Sequence, residues 1–314
     1  MSFDRNSSRR KFLIQAGSGL SALAIASSGS GATPDSDEQP LIIDCHAHIY
    51  SEDEKTYPTI EKPYPPPAGK GTVPHLRETL KTHGVRYATA VQTTTFYRFD
   101  NRFTADAARR NRDIIVGICT LDPDDAHSPA LLEKYFRESN IRGMRSIPAA
   151  SSKLDEPGVD RLWSMAEKLG IVINVLVDRE KRAEIEALCA RHPKLRVVID
   201  HCLNIKAGPD LKATLAAVVA LAKIPTVHAK LSFLSTGSAE AYPFRDMHEP
   251  CRGIIKAFGP ERCVWGSDFP CELWTPKSTY AQNLRLFTHE LGLEPEAKKQ
   301  ILGLTAKSLW FSAP

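Results

Sequence analysis

The chain has 314 residues, 42% of them hydrophobic, 25% charged and 8% aromatic, proportions that exclude a disordered, fibrous or membrane-embedded body. Arg5, Arg9, Arg10 and Lys11 against Asp4 place +3 of the net +4 in the first 26 residues and leave +1 for the rest. A body so balanced offers no basic face to nucleic acid and no basic amphipathic helix to a membrane surface.

The first element is an address rather than a fold. Ser8-Arg9-Arg10-Lys11-Phe12-Leu13 resembles a twin-arginine export signal, and the apolar stretch from Phe12 to Ala26 is interrupted by Gly17 and Gly19. That stretch is too short and too soft for a stable membrane span. Ala24-Ile25-Ala26 has the small-x-small form of a cleavage site. Residues 1–26 are therefore expected to be an export signal served by the export machinery, residues 27–40 a small-residue linker, and residues 41–314 the working domain of a periplasmic or otherwise exported protein. The seven cysteines contain no Cys-x-x-Cys pair, so no zinc knuckle or redox motif is present. Cys45, Cys119, Cys202 and Cys263 lie in apolar runs and are expected as buried thiols, with a Cys263–Cys271 disulfide left open.

Eight β-type runs follow: Leu41 to Ile49, Val85 to Gln92, Ile114 to Leu121, Ile141 to Ile147, Ile171 to Val177, Leu195 to Cys202, Thr226 to Leu234 and Cys263 to Asp268. Their spacing suits a strand, a loop, a helix and a return loop. Between them apolar residues recur at three and four, as in Leu76 and Leu80, Leu131 to Phe136, Leu162 to Leu169, Ile185 and Leu188, and Leu215 to Ala222. Gly84, Gly170 and Gly259 stand where left-handed caps end helices, and Ser128-Pro129 and Glu156-Pro157 where helices start. Eight such pairs predict an α/β chain folded as a single-domain (β/α)8 TIM barrel. A glycine-rich dinucleotide turn is missing after the first run. The long interval from Tyr50 to Val85 carries Tyr57, Pro58, Pro63, Tyr64, Pro65, Pro66 and Pro67, and is expected to form a stiff lid over the barrel mouth.

Asp44-Cys45-His46-Ala47-His48 closes the first run. With a side-chain period of two, Asp44, His46 and His48 share one face while Cys45 and Ala47 take the other. Parallel barrel strands end at one mouth, and the polar residues at the other ends are Gln92, Arg145, Asn174, Asp200, His201, Lys230 and Asp268. Ionisable groups gathered there are costly unless they are used, so the mouth is the candidate active centre. No Gly-x-Ser-x-Gly elbow supports a serine nucleophile.

Those residues carry a resemblance. His46-x-His48, Val198-Ile199-Asp200-His201 and Trp265-Gly266-Ser267-Asp268-Phe269-Pro270 resemble the amidohydrolase-related family of the amidohydrolase superfamily, from about Leu41 to Phe311. Gly143-Met144-Arg145 and Val227-x-x-Lys230-Leu231-Ser232 are similar to its lactonase branch. Thr305 stands where many members carry asparagine. The resemblance implies that Asp268 takes a proton from water, that His201, His46 and His48 polarise the substrate carbonyl, and that Arg145 grips a substrate carboxylate. Gln92, Asn174 and Lys230, read from strand position, are candidate substrate contacts with internal hydrogen bonding as the alternative. Metal-dependent members usually add a strand-five histidine, where this chain has Asn174. Metal-free catalysis is therefore favoured, with one divalent ion, zinc, on His46, His48 and Asp268 as the alternative. The expected activity is opening of a carboxylated lactone or related cyclic ester. A zinc-dependent decarboxylase of an unsaturated or aromatic acid and a non-catalytic solute-binding barrel are the alternatives.

Overall fold

The structure, a computed structural model, describes residues 40–312; the expected export signal and most of the linker lie outside these residues. All eight strands form where the apolar runs predict them. They are β1 (Ile43–Ala47), β2 (Tyr87–Val91), β3 (Ile115–Thr120), β4 (Ile141–Ser146), β5 (Val172–Val175), β6 (Val197–Ile199), β7 (Val227–Lys230) and β8 (Cys263–Val264). They pair in parallel in chain order, the topology of a (β/α)8 barrel. The seam between β8 and β1 is closed by Cys45 N–H to Trp265 O at 3.0 Å and His48 N–H to Phe269 O at 2.7 Å. Gly266 makes that closure possible, because a Cβ there would stand 2.6 Å from the Cβ of His46.

Alternation along the strands sorts the core into two layers. Ala88, Ala90, Ile115, Met144, Ile173, Val197 and Ile199 face outward onto helices, meeting Leu76 and Leu80 of Val73–Thr82 and Leu162 and Trp163 of Pro157–Leu169. Ile43, Cys45, Val91, Val116, Ile118, Val172, Val198 and Val264 fill the interior, and Trp310 joins them from the C-terminal segment. Gly170, at φ +68°, ends Pro157–Leu169 in the left-handed cap read from the sequence. The helix Arg102–Arg110 has no aliphatic repeat and buries Thr104, Ala105, Ala107 and Ala108 instead, so apolar periodicity does not announce it. All seven cysteines are buried and free, Cys263 and Cys271 included.

The simple alternation expected for β1 fails. Asp44 pairs with Ala88 and Ala47 with Ala90, so β1 spends three residues where β2 spends two, a bulge between Asp44 and Ala47. The extra residue lets Cys45 join the interior cluster while His46 and His48 still reach the mouth, and Asp44 turns away from them. The expected shared face of Asp44, His46 and His48 is therefore corrected to His46 and His48 alone.

The insertion after β1 is pinned down. Tyr50, Tyr57, Phe96 and Tyr97 form their own buried aromatic cluster. Ile60 N–H bonds Phe96 O and Tyr64 N–H bonds Thr95 O, both at 3.0 Å, fastening the proline-rich stretch to the loop after β2. Its Tyr64 ring lies 5.5 Å from that of Trp274, and Trp274 lies 5.3 Å from the ring of His48. The insertion thus adds Tyr64 to an aromatic wall whose inner ring, Trp274 from the helix Cys271–Trp274 after β8, stands beside His48.

Candidate active site

His46, His48, Arg145, His201 and Asp268 come together at the C-terminal ends of their strands. His46 Nε2 is 3.2 Å from His48 Nε2, 2.9 Å from Arg145 Nη2 and 3.4 Å from Asp268 Oδ1. The second Asp268 oxygen is 3.8 Å from His201 Nδ1, which also meets Ser232 Oγ at 3.0 Å. The rings of His46 and His201 approach to 4.5 Å. A mouth cavity of about 260 Å³ opens onto His201 and Asp268, with Asn204, Lys206, Phe233 and Thr236 around its rim.

Backbone geometry at two of these residues is unusual. Asp268 has φ +60°, and His201, Cys202, Leu203 and Asn204 all have φ between +48° and +59°. Left-handed geometry costs an L residue roughly 1–2 kcal/mol each, so neighbours must hold it. The turn after β6 is held by Cys202 Sγ–H to Lys230 O at 3.3 Å and by Asn204 Nδ2–H to Asp178 Oδ1 at 2.8 Å. No glycine marks either place, so the sequence carries no local signal of the turn.

The electrostatics divide the site into two levels. Asp200, fully buried below the histidines, accepts from Arg145 Nε at 3.0 Å and Asn174 Nδ2 at 3.1 Å and pairs with Lys230 Nζ at 2.7 Å. Burial alone would favour its protonated form, but the Lys230 and Arg145 cations outweigh it and hold the carboxyl well below the usual range. Asp268 is the opposite case: burial pushes its pKa up, and His201 and Arg145 offset only part of that. Burial, then the Lys230 charge, keeps His46 neutral; burial, then Arg145, lowers His48 to about 3.

Hydrogen-bond direction settles the state of His48. Its Nδ1 is 2.8 Å from Val91 O, an acceptor only, so Nδ1 carries the proton and Nε2 presents a lone pair. Neutral His48 therefore has no N–H left to polarise a carbonyl, which corrects the role expected for it. Lone pairs of His48 Nε2 and His46 Nε2 instead face each other at 3.2 Å, and Arg145 Nη2 donates to that of His46.

Three expected substrate contacts are spent inside the protein. Lys230 is fully buried, with its ammonium on Asp200 and over the Trp310 ring at 5.7 Å. Asn174 is tied to Asp200, and Gln92 Nε2 holds the loop after β2 through Arg98 O at 2.8 Å and Asp100 O at 3.3 Å. Each is tied down by an internal partner, while Gln92 Oε1 and Asn174 Oδ1 have none among the described residues. Arg145 is 4% exposed and commits Nε and Nη2, leaving the Nη1 edge in place of an open fork. Asp200, which the sequence places at a strand end beside His201 without a role, is the residue that anchors Arg145, Asn174 and Lys230. Trp274 had no motif to betray it, whereas Tyr64 lies in the proline-rich insertion already marked out by the sequence.

A buried carboxylate, three histidines and a guanidinium thus meet at the mouth of a (β/α)8 barrel. The chain belongs to the amidohydrolase family, matched over residues 43–311, and is a hydrolase of that superfamily. An L-fucono-1,5-lactonase from Burkholderia ambifaria is 30% identical over 203 residues, which make up 62% of this chain and 68% of that protein. A probable 2-pyrone-4,6-dicarboxylic acid hydrolase from Acinetobacter baumannii, solved with citric acid bound, shares the fold at TM-score 0.72 and 19% identity over 86% of this chain and 99% of that one. An amidohydrolase from Burkholderia multivorans with bound zinc does so at TM-score 0.69 and 24% identity, over 86% and 99%.

Proposed function

We propose that this protein hydrolyses a lactone, with Asp268 as the base that activates water. The observation that carries the reading is Asp268 itself, a buried carboxylate with a raised pKa that faces the mouth cavity and lacks a direct cation partner. A general base works best when its pKa approaches the working pH. Asp268 takes a proton from water as the oxygen adds to the lactone carbonyl carbon. The resulting oxyanion is met by His201 and by the Nη1 edge of Arg145. Collapse breaks the bond to the ring oxygen, which leaves with the proton held by Asp268, and the product is a hydroxy acid. The L-fucono-1,5-lactonase relative supports a lactone as substrate. A single guanidinium edge fits one hydrogen bond to the substrate better than a forked grip on a carboxylate, so the carboxylated substrate read from the sequence is one arm of the test.

The donor atoms also fit a divalent ion. Donor atoms of His46, His201 and Asp268 all lie within 4.8 Å of one another, a set that a zinc-sized ion can draw together. His46, His201 and Asp268 would hold it, in place of the His46, His48 and Asp268 set expected from the sequence, and it would polarise a carbonyl and acidify water. Arg145 Nη2 takes the lone pair of His46 that such an ion needs, so guanidinium and ion compete for one atom.

The deciding experiment is metal analysis of the purified protein coupled to a hydrolysis screen over neutral sugar lactones and carboxylated lactones. Acid release from a lactone without stoichiometric metal is expected. Stoichiometric zinc with carbon dioxide release from an unsaturated acid would replace the reading with a decarboxylase, and binding without turnover would replace it with a solute carrier. We propose further that the protein is exported and binds neither nucleic acid nor membrane. Among the described residues no helix is long and apolar enough to cross a membrane. A mature N-terminus near Ser27 in the periplasmic fraction is the expected result.

A further inference from the structure

Asp44 is fully buried, stands two residues before His46, and has no part in the chemistry above. The bulge in β1 turns it into the seam between β1 and β8. There its carboxylate accepts from four donors: His46 N–H at 3.0 Å, Ser267 N–H at 2.9 Å, Ser267 Oγ–H at 2.5 Å and Tyr280 O–H at 3.0 Å. Ser267 Oγ in turn accepts from Phe269 N–H at 3.0 Å. The residues on both sides of Asp268 are thus tied, directly or through one hydroxyl, to a single carboxylate.

This matters because Asp268 rests at φ +60°, a conformation that an L residue leaves unless its flanks are held. Backbone bonding across the seam does not hold it: Cys45 to Trp265 and His48 to Phe269 fall on either side of residues 266–268. Gly266, with no side chain, lets the two strands approach but grips nothing. Asp44 is the group that touches the His46 backbone and the Ser267 turn together.

We propose that Asp44 is a positioning residue that sets the separation of His46 from Asp268 by holding both of their backbones through one carboxylate. The kinetic part of this inference rests on Asp268 being the water-activating base; the geometric part does not. A carboxylate that bridges the two partners fixes each relative to the other, and small misplacements of a reacting group are costly.

The test compares the mature protein with its Asp44→Asn, Ser267→Ala and Tyr280→Phe variants by steady-state kinetics on a lactone that the wild type opens, by thermal melting and by crystallography. Asp44→Asn is expected to lower kcat about a hundredfold with KM within about twofold, because a displaced base slows the chemical step and leaves binding intact. Ser267→Ala should lose less, and Tyr280→Phe least, since its hydroxyl touches neither flank of Asp268. Crystals of Asp44→Asn should show a closed barrel in which the 3.4 Å separation of His46 from Asp268 has lengthened. Unchanged kcat in Asp44→Asn, or an unchanged separation in its crystals, overturns the proposal, as do losses in the three variants that simply follow their melting temperatures. Should Asp44→Asn fail to fold, Ser267→Ala decides by the same kinetic and crystallographic criteria. If the wild type opens no lactone, the functional reading fails while the crystals still decide the positioning role.

Discussion

Arg145 reaches His46 Nε2 with Nη2 at 2.9 Å and Asp200 with Nε at 3.0 Å, so one guanidinium joins the mouth histidines to the buried ion pair beneath them. It places a fixed positive charge where lone pairs of His46 and His48 converge. Removing it should open that position to a metal ion. Arg145→Met is expected to bind cobalt(II) about tenfold more tightly or better than the wild type, since a cation at contact distance no longer opposes the ion. The visible absorption of bound cobalt checks this, and equal affinities would count against competition.

Asp268→Asn removes the base while keeping its shape. Turnover should fall by about 10²–10⁴-fold with far-ultraviolet circular dichroism unchanged. Near-wild-type hydrolysis by this variant would end the proposed mechanism. In the wild type kcat/KM should decline on acidification as Asp268 gains its proton, with a midpoint above the ordinary carboxylate value because burial raises its pKa.

Asp200→Asn leaves Lys230 and Arg145 buried without their counter-charge. Breaking one side of a buried pair costs about 3–5 kcal/mol, so a large drop in the urea midpoint is expected. A midpoint within experimental error of the wild type would show that Asp200 does not carry those cations.

Tyr64 is 52% exposed and meets Trp274 edge to face beside His48, a wall suited to the apolar face of a substrate ring. Trp274→Ala should raise KM about tenfold, the loss of roughly 1.4 kcal/mol of aromatic contact. Tyr64→Ala should raise it less and leave the melting temperature unchanged. Unaltered KM in both variants would remove the wall from the binding site.

His48, held down to about 3, and His228, held down to about 4, stay neutral in the folded chain at pH values where unfolded histidine takes up a proton. Proton uptake by the unfolded state favours unfolding, so stability should fall as pH drops through 6.5 toward 4. Each histidine contributes a slope of up to about 1.4 kcal/mol per pH unit. Urea unfolding between pH 7 and pH 5 measures the slope, and His228→Asn should flatten it.

Much of the architecture is legible in one dimension. Each strand is a short apolar run, and seven of the eight runs carry a polar candidate near the end, where parallel barrel strands all meet at one mouth. Hence His46, His48, Arg145, His201 and Asp268 could be named from position alone, and they do meet. Gln92, Asn174 and Lys230 end strands in the same way yet face the protein's own carbonyls and Asp200. Strand position says that a side chain points into the barrel, but not at what height or toward which neighbour.

The chain by itself determined the eightfold alternation, the class of fold and the set of ionisable groups at the mouth, because local pattern and spacing suffice for these. Only the tertiary structure decided the jobs of individual residues, since a job depends on partners distant in sequence. Asp44 is the sharpest case. Strict alternation puts it beside His46 and His48, and a single extra residue in β1, accommodated against β2, turns it instead to Ser267 and Tyr280. A bulge is a property of two strands paired, and no reading of one strand contains it.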